Sequence, residues 1–288
     1  MRQRHPSNIA GDWYIDTECI NCKAAQTVAP GLIVERDGQS VFDHQPANED
    51  ERILAWRARL LCPTASVHAE HAAAPHDAVF PEPMTERVWR LGYNARHSWG
   101  AHSFFIERLS KNKEGGNAMV DAPRWTEHVV QAIEQRGGLA LILLTHRDDV
   151  ADAERYAKHF GARVFIHEDD RSAAPYATDL IRGRDPTALG DSLLAIPVPG
   201  HTKGSVAFLL EERCLFAGDS LSWDFTTNDL RASKHVCWYS WPEQTKSLRA
   251  LAEHRFEWIF AGHGGSFRLP PDTMRARLLA LTERMAAQ

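Results

Sequence analysis

Four side chains far apart along the chain have the types needed to hold a catalytic metal: His146, His201, Asp219 and His263. Imidazole nitrogen and carboxylate oxygen are ligands for zinc and for iron. A catalytic ion takes about three such ligands and keeps a position open. Each of the four stands just beyond a strand-like run. Leu139 to Leu144, with Thr145, leads to His146. Leu193 to Val198 leads to Gly200-His201-Thr202-Lys203-Gly204-Ser205. Cys214-Leu215-Phe216-Ala217 leads to Gly218-Asp219, and Trp258-Ile259-Phe260-Ala261 leads to Gly262-His263-Gly264. A histidine at the end of a buried strand is aimed by a rigid sheet into a cleft. One alone means little, but this set predicts a single metal site where strand ends meet.

Two acids follow the first histidine. Asp148 and Asp149 are candidates to take a proton during attack by water, or to serve as oxygen ligands. Asp149 also precedes a helical stretch from Asp152 to Phe160 and could be its N-cap, with Asp152 in the first turn, where the helix dipole favours an acid. Trp238, Tyr239 and Trp241 could form a wall over the cleft, and Arg147 and Lys234 could meet an anionic substrate. The reading ranked first for the same residues is packing aromatics and solvated cations. His167 ends a strand without a partner pattern. Cys214 and Cys237 read as packing residues.

From Thr85 onward strands alternate with helices, which predicts an α/β architecture. Arg87 to Tyr93, Ala101 to Glu107 and Asn117 to Asp121 are strand candidates. Thr126 can cap a helix carrying Val129, Val130 and Ile133 that stops at Gly137-Gly138. The run 139–144 is too continuously apolar for a half-exposed strand and should be buried on both faces. Gly161 ends the helix that begins near Asp152, and Val164-Phe165-Ile166 is the next strand. Residues 169–190 are polar and rich in turn formers, and read as a loop or insertion. Pro242 suits a helix start, and a last helix begins near Pro271.

Residues 1–66 read as a small separate unit. Ile33-Val34 and Gln39 to Phe42 flank Asp37-Gly38, a hairpin turn dipeptide. Glu49 to Leu61 has helical spacing and ends at Cys62-Pro63. Residues 67–85 read as a linker, with His68, His71 and His76 among alanines and prolines. The domains expected are therefore 1–66, a linker 67–85, and 86–288.

The 288-residue chain is 43% hydrophobic and 25% charged, with net charge −5. That is ordinary for a soluble globular protein and gives no broad attraction to nucleic acid or anionic membrane. No apolar run approaches the ~20 residues that span a bilayer. The first residues lack the apolar core of a secretory signal, and five cysteines in a chain this long do not make a disulfide scaffold. A cytoplasmic protein acting on a small molecule is expected, with room for a redox partner; the oligomeric state is left open.

The motif series Thr145-His146, Gly200-His201-Thr202-x-Gly204-Ser205, Gly218-Asp219 and Gly262-His263-Gly264 resembles that of the metallo-β-lactamase fold superfamily, in its glyoxalase II-like branch, over roughly residues 86–265. The whole chain is similar to ferredoxin-fused members from bacteria and plants, which carry the same Thr-His-Arg-Asp-Asp stretch and a Trp-Tyr-Ser segment like Trp238-Tyr239-Ser240. The resemblance implies a four-layer αββα sandwich, preceded by a small α+β ferredoxin-like domain, with the metal at one edge of the two sheets. It also implies one or two divalent ions, zinc or iron.

Departures matter as much as matches. Dinuclear members read Thr-His-x-His-x-Asp-His, where this chain reads Thr145-His146-Arg147-Asp148-Asp149-Val150-Ala151. The second histidine is Asp148, and the Asp-His pair is absent or displaced to Asp152-Ala153. A metal-dependent hydrolase of an ester, thioester, lactone or phosphoester is the function expected. A mononuclear iron oxygenase similar to the persulfide dioxygenases, using two histidines and one aspartate, stays open, as does a non-catalytic scaffold. In the N-terminal unit, Cys19-Ile20-Asn21-Cys22 and Cys62-Pro63 resemble a single-cluster bacterial ferredoxin, whose pattern is Cys-x2-Cys-x2-Cys with a distant Cys-Pro. The third position is Ala25. A ferredoxin-shaped domain without its cluster is expected. A cluster with a non-cysteine fourth ligand, a three-iron cluster and three simply buried thiols remain as alternatives.

Overall fold

The computed structural model describes residues 2–73, 75, 79–108, 116–190 and 192–288. His76 lies outside the described residues. Two sheets face each other across a core of aromatic and aliphatic side chains. The first has seven strands, in the spatial order Asp179–Ile181, Arg163–His167, Leu141–Leu143, Ala118–Val120, Phe104–Ile106, Val88–Arg90 and Glu82–Pro83. The second has six, in the order Thr187–Ala188, Leu193–Pro197, Val206–Leu210, Cys214–Gly218, Trp258–Ala261 and Phe267–Arg268.

Side-chain alternation builds the layers. Leu141 and Leu143 point to the other sheet, joining Phe104, Phe208, Phe216 and Phe260. Ile142 and Leu144 point the opposite way, into the cluster made with Val129, Ile133 and Tyr156 of the helices Glu127–Gln135 and Ala153–Phe160. A strand covered on both faces needs no polar side, which is why 139–144 reads as a continuous apolar run. On the far face of the second sheet, Leu248 and Leu251 of the helix Trp241–Leu251 pack with Met274 and Leu278 of the helix Pro271–Ala286. The result is helix, sheet, sheet, helix.

Local chemistry sets the element ends. The Thr126 side chain accepts from the Val129 N–H at 3.2 Å, and Ser240 accepts from the Glu243 N–H at 3.3 Å with Pro242 in the first turn. In the N-terminal unit the hairpin Ile33–Arg36 with Gln39–Phe42 turns at Asp37 and Gly38, both at positive φ, 53° and 74°. The Asn48 side chain caps the helix Glu49–Leu61 by accepting from the Glu51 N–H at 2.9 Å. Trp13, Phe42, Leu61 and Phe80 share this unit's own core.

The structure departs from the sequence-based expectation in two segments. Within the stretch 67–85, Val67–Ala69 pairs antiparallel with Trp13–Ile15, and Glu82–Pro83 pairs with Val88–Arg90. The stretch 169–190 is not simply a loop. It begins in a short 3-10 turn and contributes Asp179–Ile181, parallel to Arg163–His167, and Thr187–Ala188, an edge strand of the second sheet. Both strands are short and sit among turn formers, so the pairing comes from their neighbours and not from a pattern of their own.

Candidate metal centre

The strand ends singled out by sequence meet in one place. His146 Nε2 lies 3.8 Å and His201 Nε2 lies 3.7 Å from the same oxygen of Asp219, and the two imidazoles cross edge to face with centroids 4.7 Å apart. His263 Nδ1 lies 2.8 Å from the other Asp219 oxygen. The ligand atoms of His146, His201 and Asp219 all fall within 4.8 Å of one another, and so do those of Asp149, Asp219 and His263. Asp219 belongs to both triads, and its carboxylate stands between them.

The donor set fits a divalent cation. Nε2 of His146, Nε2 of His201 and both carboxylate oxygens of Asp149 are buried with no hydrogen-bond partner in the protein. A buried polar group left unpaired costs about 1–3 kcal/mol, so a cluster of them aimed at one space calls for an ion. Nitrogen and carboxylate donors suit zinc or iron.

The orientation of His146 is fixed from behind. The Thr145 hydroxyl donates to Asp121, 2.8 Å from its Oδ2, and the Thr145 N–H donates to Asp121 Oδ1 at 2.8 Å. With its proton committed there, the Thr145 oxygen accepts from His146 Nδ1, 3.0 Å away. That leaves the His146 Nε2 lone pair free for a ligand position. Asp121 is buried and was not evident from sequence as part of a site; its only signal was an acid at a strand end. Burial pushes the Asp121 carboxyl up to about 8.

Charges in the cleft are strongly coupled. Burial drives the His146 imidazole down to about 4, so it is neutral at physiological pH. For His263 burial acts in the same direction, but the charge and hydrogen bond of Asp219 outweigh it and lift the imidazole to about 10. Burial opposes ionisation of Asp219 too, and its imidazole neighbours, His263 foremost, overcome it and hold the carboxyl far below the usual range. Burial raises Asp149 well above that range, and the Asp219 charge adds to the effect.

The two acids after His146 part company. Asp149 is 1% exposed and is not a helix cap: the residue at the cap of Ala153–Phe160 is Asp152. Asp152 is therefore not in the first turn, and its carboxylate accepts from the Trp125 N–H at 2.6 Å instead of capping. Asp149 faces inward, 3.9 Å from His146 Nε2. Asp148 is half exposed and lies 3.6 Å from His201 Nε2 and 3.9 Å from His146 Nε2. Contact with His201 is the first reason its carboxyl is held below the ordinary range.

Two glycines make room for this crowding. A Cβ on Gly262 would come within 2.8 Å of an Asp219 oxygen and 2.9 Å of an Asp149 oxygen. Gly218 has φ +50°, and a Cβ there would lie 2.6 Å from the Thr145 hydroxyl. Asp170, unremarked in the sequence, ties the His146 and His201 loops together, accepting from the Arg147 N–H at 3.1 Å and from the Thr202 hydroxyl at 2.6 Å.

Of the expected aromatic wall, Trp238 is 66% exposed with its ring 6.4 Å from that of His201, and Tyr239 beside it is exposed as well. Trp241 is not part of it: it packs against the core behind the second sheet, and its Nε1–H donates to the Met285 carbonyl. Lys234 donates to the Gln288 carbonyl, while Arg147 is exposed beside Asp148. A tryptophan missed in the sequence, Trp99, is 58% exposed and sits at φ +48°, with its carbonyl 3.4 Å from His263 Nε2. The next residue passes so close to the N-terminal unit that a Cβ on Gly100 would lie 2.8 Å from Cys22 Sγ and 3.1 Å from Pro63 Cγ. Arg124 spans the same junction, donating to the carbonyls of Leu60 and Cys62.

In that unit Cys19, Cys22, Cys62 and Ala25 line one cavity. The Asn21 N–H donates to Cys19 Sγ at 3.4 Å, and the Ser66 N–H donates to Cys62 Sγ at 3.2 Å. Burial pushes the Cys22 thiol up to about 12 and raises that of Cys19. Cys214 is packed in the core between the sheets, and Cys237 donates to the Gly200 carbonyl.

Comparison with known proteins agrees with both halves. Residues 15–69 match the model of the 4Fe-4S single cluster domain of Ferredoxin I. The uncharacterized protein YobT of Bacillus subtilis is 31% identical over 200 residues, 57% of this chain and 84% of YobT. A hydroxyacylglutathione hydrolase of Fuscovulum blasticum is 38% identical over 122 residues, which is 41% of this chain and 48% of that enzyme. The chain thus spans about half the length of that hydrolase. Among solved structures, the metallo-β-lactamase FIM-1 of Pseudomonas aeruginosa in its mono-zinc form is 18% identical. It superposes with a TM-score of 0.53, covering 75% of this chain and all of that one. No helix of the described residues is long and apolar enough to cross a membrane. With the sandwich and these matches together, the chain has the metallo-β-lactamase fold and belongs to the family that includes YobT, with a ferredoxin-like domain in front.

Proposed function

We propose that this protein is a metal-dependent hydrolase that cleaves an ester-type bond, a thioester foremost, with its ions held by two triads sharing Asp219. His146, His201 and Asp219 would hold a first ion, and Asp149, Asp219 and His263 a second. A divalent ion in such a site lowers the pKa of bound water toward ~7 and polarises a carbonyl oxygen. Every other part is played by side chains. Thr145 and Asp121 keep the His146 lone pair turned inward. Asp219, between the triads, fixes their separation. Asp148, half exposed and ionised at neutral pH, is placed at the open side of the cleft to take the proton that water gives up. Trp99 and Trp238 flank the opening and offer apolar contact to the acyl part of a substrate.

The observation that carries this reading is the second triad. Asp149 is buried with both oxygens unpaired, beside Asp219 and His263. A mononuclear iron oxygenase would need only His146, His201 and Asp219, and would leave the unpaired Asp149 oxygens without a use. The choice of thioester rests on the similarity to hydroxyacylglutathione hydrolases, a name that describes those proteins.

The test is metal analysis of the purified protein followed by assay against a panel: an acylglutathione thioester, an aryl ester, a lactone and a phosphodiester, with oxygen uptake followed in parallel. Metal-dependent thioester hydrolysis with up to two ions per chain is expected. Oxygen consumption with a single iron would overturn the hydrolytic reading, and the absence of metal after reconstitution would overturn both.

A further inference from the structure

We propose that Cys19, Cys22 and Cys62 bind a three-iron, four-sulfide cluster, with the methyl of Ala25 facing the corner where a fourth iron would need a ligand. The four-iron cluster implied by the match over residues 15–69 is ordinarily held by four cysteines, and this cavity offers three thiols, so its fourth iron would have only an exchangeable solvent ligand and is the labile one.

Three observations carry the assignment. The three cysteines come from separate places in the chain, the loop before the helix Ala24–Val28 and the end of the helix Glu49–Leu61, yet line one cavity with Ala25. Packing thiols have no reason to converge in this way. Their spacing also excludes a single ion. Two sulfurs bound to one ion at ~2.3 Å each can be at most about 4.6 Å apart. Among the described residues, the triads whose ligand atoms all lie within 4.8 Å of one another do not include these sulfurs. A polynuclear centre, one iron per thiolate, bridges the wider gap. Finally, backbone N–H groups of both segments are turned toward the sulfurs. Asn21 and Lys23 sit at φ +48° and +65°, and N–H groups of Asn21 and Ser66 donate to Cys19 and Cys62. Turns of this kind gather N–H groups around an anionic centre.

The fourth corner decides the nuclearity. Ala25 is buried in the first turn of its short helix, so its side chain offers no donor. An iron there would have no protein ligand: one-electron oxidation of the cluster, with dioxygen taking the electron, releases it as ferrous ion and leaves three ferric ions with one thiolate each.

The test is anaerobic reconstitution of the full-length protein with ferrous iron and sulfide, followed by desalting, acid-labile sulfide analysis and EPR of the air-oxidised sample. Sulfide is the discriminating quantity, since the imidazole and carboxylate centre of the sandwich binds none. The wild type is expected to hold about four sulfides per chain and to give, without reductant, a cluster EPR signal close to the free-electron position, because three coupled ferric ions carry an odd number of d electrons; a lone ferric ion in the sandwich gives its signal at much lower field. Ala25→Cys is expected to gain about one iron and lose that signal, because the oxidised four-iron cluster has an even count. Cys62→Ser is expected to lose the sulfide with an unchanged far-UV spectrum. The proposal is overturned if the wild type takes up no sulfide under conditions where Ala25→Cys does, or if the wild type is EPR-silent with four irons of its own. It is equally overturned if Cys62→Ser keeps the sulfide.

Discussion

The carboxylate of Asp149 stands 3.9 Å from His146 Nε2, and neither of its oxygens is hydrogen-bonded. Fully buried acids are rare unless paired, and this one is buried beside a second carboxylate, Asp219. Asp149→Ala should therefore halve the bound metal while leaving the ion held by His146, His201 and Asp219. Elemental analysis of the variant, with the wild type loaded alongside, checks this.

Thr145 acts on the metal through His146. Thr145→Val keeps the volume but removes the hydroxyl that accepts from Nδ1 and donates to Asp121. Loss of such an outer partner typically lowers metal affinity about 10–100-fold. Competition with a chelator of known affinity should show a drop in that range, and the metal-free protein should melt somewhat lower, because the buried Asp121 Oδ2 loses its donor.

Gly262→Ala places a methyl within 3 Å of oxygens of Asp219 and Asp149 together. The two carboxylates cannot both keep their positions. Metal content should fall and hydrolysis with it, while circular dichroism keeps the α/β signature, because Gly262 lies beyond the end of the strand Trp258–Ala261.

Trp238→Ala removes an exposed ring near His201 and nothing from the core. An aromatic contact of about 1 kcal/mol corresponds to about a fivefold rise in KM. The rise should appear for substrates with an apolar acyl group, with kcat and metal content unchanged.

Phe216 is fully buried between the sheets, stacked on Phe260 with centroids 5.0 Å apart. Phe216→Ala should cost about 3–5 kcal/mol, read as a lower denaturant midpoint.

Much of this architecture is legible in the order of the amino acids. Strands covered on both faces announce themselves as apolar runs, and Thr126, Asp37-Gly38 and Pro242 mark element ends through chemistry that acts within a few residues. His146, His201, Asp219 and His263 were readable because each follows such a run. What escaped was decided over longer distances. An aspartate can cap a helix or face a cation, so the sequence around Asp149 supports either role, and only the placement of the helix start at Asp152 separates them. Asp121, Asp170 and Trp99 matter through partners far away in the chain, and nothing near them hints at those partners. Asp179–Ile181 is a strand because Arg163–His167 lies beside it.

Trp99 and Gly100 are neighbours in sequence, yet one touches His263 and the other lies against Cys22 and Pro63. The partition between the thiol cavity and the imidazole cluster is thus, at this point, a single peptide thick. The N-terminal unit is accordingly no detachable passenger: it is the floor on which one rim of the cleft rests. A chain trimmed to the sandwich alone would leave Trp99 without its footing.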